Sequence, residues 1–212
     1  MRILVTGANG FLGNYLIPEL LKRKYEVIAT GKGKCRIKVT DTFVYEEMDF
    51  TNVQSVNHVF STYKPEVIVH AGAISKPDEC EDNRELAFDI NTQGTINLLK
   101  AAKPLNSFFI FISTDFVFDG LKGMYNEKDS PTPVNYYGQT KLLAEEKVKE
   151  YVGEWSIVRT VLVYGRPQMG RENLLTLVKK KNENGEVFKV FTDQLRTPTY
   201  VEDLASAIVS II

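Results

Sequence analysis

The sequence predicts an α/β fold built on a doubly wound parallel sheet of the Rossmann type. Short runs such as RILVT at 2–6 and EVIVHAG at 66–72 are apolar on both faces, as buried strands of a parallel sheet are. Helical patterns with one apolar face, of which FLGNYLIPELLKRK at 11–24 is the first, alternate with these runs. A glycine-rich turn joins the first strand to the first helix, where such sheets bind nucleotides.

Each element is inferred from the period of its apolar residues and from the turn residues at its ends. Strands are predicted at 2–6, 26–30, 43–50, 66–72, 107–114, 155–165 and 187–191. Helices are predicted at 11–24, 53–63, 84–103, 136–153 and 172–183, and over the final stretch from 200. Pro18 is expected to weaken the first helix, because proline removes a backbone hydrogen bond to residue 14.

We expect two units in the chain, a dinucleotide-binding domain at 1–165 and the start of a substrate-binding lobe at 166–212. The chain stops inside an apolar helical stretch that has no capping residue. This pattern predicts that more of the lobe follows. The alternative is that the protein ends at this point.

The composition excludes several classes of protein. A formal net charge of −1 gives no overall attraction to nucleic acid or to an anionic membrane. No stretch approaches the roughly eighteen consecutive apolar residues that a membrane span needs. Cys35 and Cys80 lie far apart in no metal-ligand spacing, so we expect no disulfide and a reducing, cytoplasmic location. The sequence shows no metal-ligand set and does not decide whether a metal is required.

The stretch TGANGFLG at 6–13 places Gly7, Gly10 and Gly13 between the first strand and the first helix. Glycine allows backbone N–H groups to approach a pyrophosphate, and the N-terminus of the helix adds a favourable dipole. The alternative is a plain tight turn that binds nothing. The other residues of the turn that we expect to contact a dinucleotide are Asn9, Phe11 and Leu12.

The end of the second strand discriminates between the nicotinamide cofactors. An acid there would bind the adenosine ribose of NAD, but TGKGKCRIK has none before Asp41. The loop carries Lys32, Lys34 and Arg36, and cations suit the 2′-phosphate of NADP. We therefore favour NADP, with NAD as the alternative, although a solvated basic loop explains the same residues. Two residues after the third strand are expected to meet the adenine: Asp49 and Phe50.

The sequence YYGQTKLLAEEKV at 136–148 contains a Tyr-x-x-x-Lys pair. Tyr137 and Lys141 are about one helical turn apart on one face, whereas Tyr136 has Thr140 at that spacing. The ammonium is expected to lower the pKa of the phenol, so that Tyr137 exchanges a proton with a carbonyl oxygen during hydride transfer. Lys141 is also expected to hold the nicotinamide ribose. Taken alone, the pair fits an ordinary surface helix equally well.

The surroundings of this pair favour chemistry over a surface helix. Ser113 and Thr114 stand at the carboxyl end of the strand SFFIFIST, where open α/β sheets bind their ligands. Their hydroxyls can hydrogen-bond a substrate carbonyl. Asn135 is a suitable N-terminal cap for the helix that carries Tyr137.

These motifs together resemble the extended short-chain dehydrogenase/reductases that act on nucleotide sugars. The resemblance rests on TGANGFLG, on AGA at 71–73, on INTQGTINLLKAA at 90–102 and on YGQTK at 137–141. STDFVFDG and DQLRTPTYVEDLA resemble more narrowly the dTDP-4-dehydrorhamnose reductase branch. The resemblance covers essentially the whole chain. Such reductases transfer hydride from NADPH or NADH to the C4 ketone of a dTDP-linked deoxysugar. The sequence leaves the oligomeric state open, with a homodimer as the candidate.

The resemblance also implies roles for individual residues. The implied catalytic residues are Thr114, Tyr137 and Lys141, and Asn91 is implied to support the site from below. The implied further cofactor contacts are Ala71, Gly72, Ala73, Asn91, Ser113, Tyr137 and Lys141. The implied substrate contacts are Ser113, Thr114, Asp115, Val117 and Arg196.

Two positions depart from the pattern of the branch. Leu162 in RTVLVYG stands where the branch usually has tryptophan, and Arg196 in DQLRTPT stands where it commonly has glycine. A guanidinium at that position can bind a diphosphate through two hydrogen bonds or form a surface ion pair. Both positions lie where the sugar is expected, so the sequence leaves the sugar open.

We therefore expect a reductase of a 4-keto nucleotide sugar. One alternative is an epimerase or dehydratase that keeps NAD bound. Another is a non-catalytic regulatory subunit, since the β subunit of methionine adenosyltransferase is similar to this branch. His58 and His70 are expected to be structural, and Glu145 and Glu146 are expected on a solvated helix face, with Glu145 paired to Lys149.

Overall fold

The computed structural model describes residues 1–39, 42–167, 173–190 and 192–212. Six strands form one sheet: β1 (Arg2–Thr6), β2 (Glu26–Gly31), β3 (Val44–Glu47), β4 (Val67–His70), β5 (Phe108–Thr114) and β6 (Trp155–Thr160). The helices are α1 (Gly13–Lys22), α2 (Val53–Tyr63), α3 (Pro77–Asp82), α4 (Arg84–Phe88), α5 (Gly94–Ala102), α6 (Tyr136–Lys149), α7 (Leu174–Glu183) and α8 (Val201–Ile211). A short second sheet pairs β7 (Val163–Tyr164) with β8 (Thr199–Tyr200) in parallel.

The six strands of the main sheet are parallel and follow the order β3-β2-β1-β4-β5-β6. The predicted doubly wound sheet is confirmed. The strand order reverses between β1 and β4, and open α/β sheets bind their ligands outside the carboxyl ends of the strands at such a point. The turns that follow β1, β4 and β5 therefore share one edge of the sheet.

Helices cover both faces of the sheet, which explains why its strands are apolar throughout. On one face, α1 and α8 pack on the strands through Leu16, Leu20 and Ile208, all fully buried. On the other face, α2, α5 and α6 form a second core that includes Val59 and Leu98. The catalytic helix of the sequence prediction, α6, belongs to this second face.

The segment predicted as one helix at 84–103 is interrupted in the structure. α4 ends at Phe88, a π-helical turn occupies Asp89–Gln93, and α5 begins at Gly94. The interruption turns Asn91 inward until only 1% of it is exposed. Isolated π-helical turns often occur at functional sites, and this one brings an amide under the candidate site. The sequence reading also missed α3, whereas Pro18 lies inside α1 without ending it.

Some predictions near the C-terminus were wrong in detail. The strand predicted at 155–165 is divided into β6 and β7, and residues 187–190 form no strand. Phe191, the last residue of that predicted strand, lies outside the described residues. So do Glu172, the first residue of the predicted helix 172–183, and Asp41; within the described part that helix is α7.

Across the four described ranges, no helix is long and apolar enough to cross a membrane. These ranges also contain no group of three or more His, Cys, Asp or Glu side chains that could hold a metal ion. Cys35 is exposed and Cys80 is buried, and both are free thiols.

Candidate active site

The turn between β1 and α1 is too tightly packed for a side chain at two of its glycines. Gly7 has a φ of +67°, and a Cβ there would lie 2.7 Å from the backbone nitrogen of Gly72. A Cβ on Gly13 would lie 2.2 Å from the carbonyl oxygen of Ala8. Gly10 closes the turn by donating its N–H to the carbonyl of Gly7 at 2.8 Å. The turns after β1 and β4 therefore touch, and α1 begins directly at the strand ends.

The N-terminus of α1 carries no side-chain cap. Leu12 is its cap residue, no side chain bonds its first turn, and that turn contains no acid. Three other helices are capped by asparagine side chains: Asn52 on α2, Asn135 on α6 and Asn173 on α7. The ring of Phe11 packs edge-on against Tyr15, with 5.7 Å between ring centroids. The backbone N–H groups of an uncapped helix N-terminus favour binding of a phosphate.

Asn9 fixes the basic loop after β2 against the glycine turn. Its Nδ2 donates to the Tyr45 hydroxyl at 2.7 Å and to the Lys34 carbonyl at 3.2 Å. Its Oδ1 accepts the Arg36 N–H at 2.8 Å, and the Tyr45 hydroxyl donates to the Gly33 carbonyl at 2.7 Å. The side chains of Lys34 and Arg36 are exposed on this anchored loop. The cations predicted from the sequence thus lie beside the glycine turn.

Lys32 and Asp49, both predicted to contact the cofactor, bind each other. Their Nζ and Oδ2 atoms are 2.7 Å apart, and both side chains are partly exposed. Burial acts to raise the pKa of Asp49, but hydrogen bonds from Lys32 and Thr51 outweigh it and hold the pKa below its usual value. The pair joins the end of β2 to the end of β3 at the carboxyl edge of the sheet.

Phe50 supports the floor of the site from inside the fold. Its ring packs edge-on against His70, with 5.2 Å between centroids. A Cβ on Gly72 would lie 2.5 Å from the Phe50 ring, so the chain after β4 runs directly over it. Of the AGA segment that follows β4, Gly72 is buried and Ala73 is exposed, while Ala71 is partly buried beneath Gly7.

The two adjacent tyrosines of α6 point to different surroundings. The N–H of Tyr136 binds Glu81 of α3 at 2.7 Å, and the Arg84 guanidinium lies 4.9 Å from the centre of its ring. Tyr137 is only 8% exposed and packs edge-on against Phe116. Tyr137 is therefore the tyrosine inside the site.

The helix start is fixed so that Tyr137 meets the end of β5. The Asn135 side chain accepts the N–H of Gly138 at 2.8 Å, as predicted for a cap. A Cβ on Gly138 would lie 2.1 Å from the carbonyl oxygen of Phe116, so glycine permits this approach. Thr114 ends β5 and is 5% exposed.

The pKa of Tyr137 differs from the sequence expectation. Burial raises it to about 12, and a hydrogen bond with the Thr114 side chain acts in the opposite direction. We expected Lys141 to lower this pKa. In the structure its ammonium faces elsewhere, so burial dominates and the phenol holds its proton at neutral pH.

Lys141 is buried against β5. Its Nζ donates to the carbonyl of Ile112 at 2.8 Å and lies 3.9 Å from the centre of the Phe111 ring. Burial lowers its pKa to about 7, and the charge of Glu145 opposes that effect. The side chain is 2% exposed. A lysine with such a pKa changes charge near neutral pH.

Asn91 joins the chain after β4 to α6. Its Oδ1 accepts the N–H of Ile74 at 2.9 Å, and its Nδ2 donates to the Ile74 carbonyl at 3.1 Å. Nδ2 also donates to the Thr140 hydroxyl at 3.0 Å, directly before Lys141 in sequence. This geometry agrees with the supporting position that the resemblance implied.

His70 lies in a chain of hydrogen bonds that runs from Thr6 through His70 and Thr95 to Asn91. The Thr95 hydroxyl donates to the Asn91 carbonyl at 2.8 Å, so it accepts from His70 Nε2 at 3.0 Å. The network then assigns Nδ1 as acceptor from the Thr6 hydroxyl at 2.6 Å. Burial first, and the charge of Lys141 second, lower the pKa of His70 well below its ordinary value. The imidazole is neutral and structural.

Glu145 and Arg159 are the site residues that the sequence reading missed. The prediction of a solvated Glu145 paired with Lys149 was wrong, because Glu145 is fully buried and binds Arg159. Ser113, predicted to contact cofactor and substrate, donates its hydroxyl to Glu145 at 2.6 Å. The available signal was spacing, since Glu145 follows Lys141 by four residues and so shares its helix face.

Only some of the residues predicted to contact substrate lie at the candidate site. Asp115 follows Thr114 in the chain. Burial holds the pKa of Asp115 above its ordinary value, although the hydrogen bond with Thr114 and the charge of Arg196 act to lower it. The exposed Arg196 lies 5.0 Å from the centre of the Phe116 ring, so it borders the site. Val117 is fully buried, and its side chain faces the fold. Leu162 accepts the N–H of Thr199 at 3.2 Å and joins the two short strands.

Comparison with known proteins gives one matching family model. The model of the RmlD substrate binding domain matches residues 1–212. Among curated proteins, methionine adenosyltransferase 2 subunit beta of Bos taurus is 32% identical over 206 residues. The match covers 97% of this chain but 60% of the bovine protein, so the chain spans less than two thirds of that relative.

Solved structures of two kinds of enzyme are similar to this chain. dTDP-4-dehydrorhamnose reductase from Bacillus anthracis, in complex with NADP, is 32% identical with a TM-score of 0.86, covering 99% of this chain and 70% of that one. UDP-glucose 4-epimerase from Thermus thermophilus, in complex with NAD, is 26% identical with a TM-score of 0.85. The match covers 99% of this chain and 74% of the epimerase.

Proposed function

This chain belongs to the RmlD substrate binding domain family, and from that premise we propose that it is an NAD(P)H-dependent reductase of a 4-keto nucleotide sugar. The observation that carries the proposal is the meeting of Thr114, Tyr137 and Lys141 where the end of β5 touches α6. These residues come from distant parts of the chain. The contact places a hydroxyl, a protonated phenol and an amine together at the edge where such sheets bind ligands.

In the proposed reaction Tyr137 is the proton donor. Because burial raises its pKa to about 12, the phenol is protonated at neutral pH and can donate to a ketone oxygen. The Thr114 hydroxyl orients that oxygen. A bound nicotinamide cofactor supplies the hydride for the ketone carbon. Lys141, one turn further along α6, would hold the nicotinamide ribose, since its ammonium binds the Ile112 carbonyl and does not face the phenol.

The residues present fit a dinucleotide. The uncapped N-terminus of α1 would hold the pyrophosphate, next to a turn where Gly7 and Gly13 leave no room for a side chain. Lys34 and Arg36, on the loop that Asn9 fixes, suit a 2′-phosphate. We therefore favour NADPH over NADH. At the other end, Arg196 is a guanidinium at the border of the site that suits the diphosphate of a sugar nucleotide.

The test compares Tyr137→Phe with the matched control Tyr136→Phe. Oxidation of NADPH is followed with a dTDP-4-keto-6-deoxysugar as substrate. We expect Tyr137→Phe to lose about 100-fold or more of kcat, because it removes the proton donor, while NADPH binding persists. Tyr136→Phe should retain activity. A Tyr137→Phe protein as active as the wild type would refute the assignment.

Two other functions each have an observation in their favour. Similarity to the epimerase from Thermus thermophilus favours an enzyme that keeps NAD bound, and denatured protein would then release NAD while no NADPH is consumed. Similarity to the bovine subunit beta favours a regulatory subunit. In that case the protein would co-purify with a partner and turn over no keto-sugar.

A further inference from the structure

Glu145 is a buried acid that the proposed reaction does not use. Tyr137, Lys141 and Glu145 follow one another at intervals of four residues on one face of α6, and all three side chains are buried. Glu145 is fully buried, whereas its neighbour Glu146 is exposed. A buried carboxylate without partners is strongly unfavourable, so its partners indicate its role.

The partners of Glu145 come from two strands of the main sheet. Arg159 of β6 binds it through two hydrogen bonds, Nε to Oε1 at 2.9 Å and Nη2 to Oε2 at 2.6 Å. Ser113 of β5 donates its hydroxyl to Oε1 at 2.6 Å. The Arg159 guanidinium in turn lies 4.9 Å from the centre of the Phe118 ring. One carboxylate thereby ties α6 to β5, to β6 and to the segment that follows β5.

Three consecutive residues of β5 bind the three buried side chains of α6. The pairs are Ile112 with Lys141, Ser113 with Glu145 and Thr114 with Tyr137. The Glu145 pair lies between the two pairs that contain catalytic residues. Loss of the bond to Ser113 would therefore loosen the strand directly before Thr114.

The charged and titratable groups near Lys141 influence the pKa of its ammonium. Within the described part of the chain, two titratable groups act on Lys141 or are acted on by it: Glu145, one turn along α6, and His70 at the end of β4. Arg159 of β6 lies beyond Glu145, to which it is bound. Burial lowers the pKa of Lys141 to about 7, and Glu145 is the carboxylate that acts against this.

We propose that Glu145 is a positioning residue of the site: bound to Ser113 and Arg159, its carboxylate fixes the end of β5 beside Thr114 and lies one turn from Lys141 on the buried face of α6. Its importance for catalysis rests on the proposed reductase function. Its effect on the charge of Lys141 is a property of the protein alone and is measurable without cofactor or substrate.

The experiment titrates Lys141 by NMR in protein labelled with ¹³C-lysine. The Cε signal of Lys141 is assigned by its loss in Lys141→Arg. The wild type is compared with Glu145→Gln, which keeps the size of the side chain but replaces one acceptor oxygen by an NH2 donor, and with the exposed control Glu146→Gln. Since Glu145→Gln leaves Arg159 without its partner, the double variant Glu145→Gln with Arg159→Gln replaces the ion pair by two amides and provides a second folded protein.

We expect the midpoint of the Lys141 titration to fall by about one pH unit in Glu145→Gln, which leaves the Arg159 charge in place. The fall should be smaller in the double variant, because both charges of the ion pair are removed. Glu146→Gln should titrate as the wild type does. A purely structural Glu145 would lower stability without moving the midpoint, so an unchanged midpoint in the folded variants overturns the proposal. An unchanged midpoint would not contradict the proposed reductase function. If instead the midpoints shift but the wild type reduces no keto-sugar, the reductase proposal fails and the role of Glu145 stands.

Discussion

At the scale of single residues, the burial of Lys141 couples the stability of the fold to pH. Its pKa is 10.5 as a free side chain and about 7 in the fold, so the unfolded chain binds more protons between these values. The free energy of unfolding therefore rises with pH across this window, by up to about 1.4 kcal/mol per pH unit. Below about pH 7 both states are protonated and the dependence ends.

We expect the wild type to gain about 2 kcal/mol of unfolding free energy relative to Lys141→Met between about pH 7 and pH 9. Urea unfolding at the two pH values measures this difference. Lys149→Met, at an exposed position of the same helix, is the control and should show no such gain. Parallel pH dependence of the wild type and Lys141→Met would contradict the burial of a titrating lysine.

Spacing along α6 predicted some residues of the site and not others. It distinguished Tyr137 from Tyr136, because only Tyr137 has a lysine one turn further on. It did not reveal that Glu145 binds Arg159, since helix periodicity shows which residues share a face but not what packs against that face. It also could not give the direction of the Tyr137 pKa, which depends on burial and on where the Lys141 ammonium points.

At the scale of elements, the proposed function predicts that the cap of α6 affects catalysis and that the cap of α2 does not. Asn135 accepts the N–H of Gly138, and Asn52 accepts the N–H of Ser55 at 3.0 Å. Replacing either by alanine should cost about 1 kcal/mol of stability, as measured by urea unfolding.

We expect only Asn135→Ala to lower kcat, roughly tenfold, because the first turn of α6 holds Tyr137 against Thr114 and small displacements of reacting groups slow catalysis. NADPH oxidation by Asn135→Ala and Asn52→Ala measures the difference. Equal activity of the two variants would show that the cap does not position Tyr137.

The elements were predictable where local pattern determines them and not where distant contacts do. The bounds of α2 are those predicted, since both its apolar period and its Asn52 cap are visible in the sequence. The π-helical turn at Asp89–Gln93 was not visible, because Asn91 turns inward to bind Ile74 and Thr140, which are remote in sequence. The break between β6 and β7 likewise follows from the pairing of Val163 with Thr199.

At the scale of the whole molecule, ligand binding should stabilise the sheet and its two layers together, since a ligand of the folded state adds to its stability. At a concentration of about a hundred times its Kd, NADPH should add about 2.7 kcal/mol, which corresponds to a Tm increase of several degrees for a chain of this size. At equal concentrations NADH should add less, because it lacks the phosphate that Lys34 and Arg36 suit.

Arg36→Ala should reduce the Tm increase with NADPH and leave that with NADH unchanged. Thermal unfolding with each cofactor measures this, and Lys38→Ala, at another exposed position of the same loop, is the control. Equal stabilisation by both cofactors in the wild type and in Arg36→Ala would contradict the preference for NADPH.

The chain of hydrogen bonds through His70 bears on the pH–rate profile expected of the proposed reductase. An inflection near neutrality is conventionally assigned to an imidazole, and the chain has two histidines. Both ring nitrogens of His70 are engaged by threonine hydroxyls, so protonation would break the bond from Thr6. His58 lies exposed on α2. We therefore expect an inflection near neutrality in the proposed reaction to come from Lys141, and it should persist after a histidine-directed reagent has modified His58.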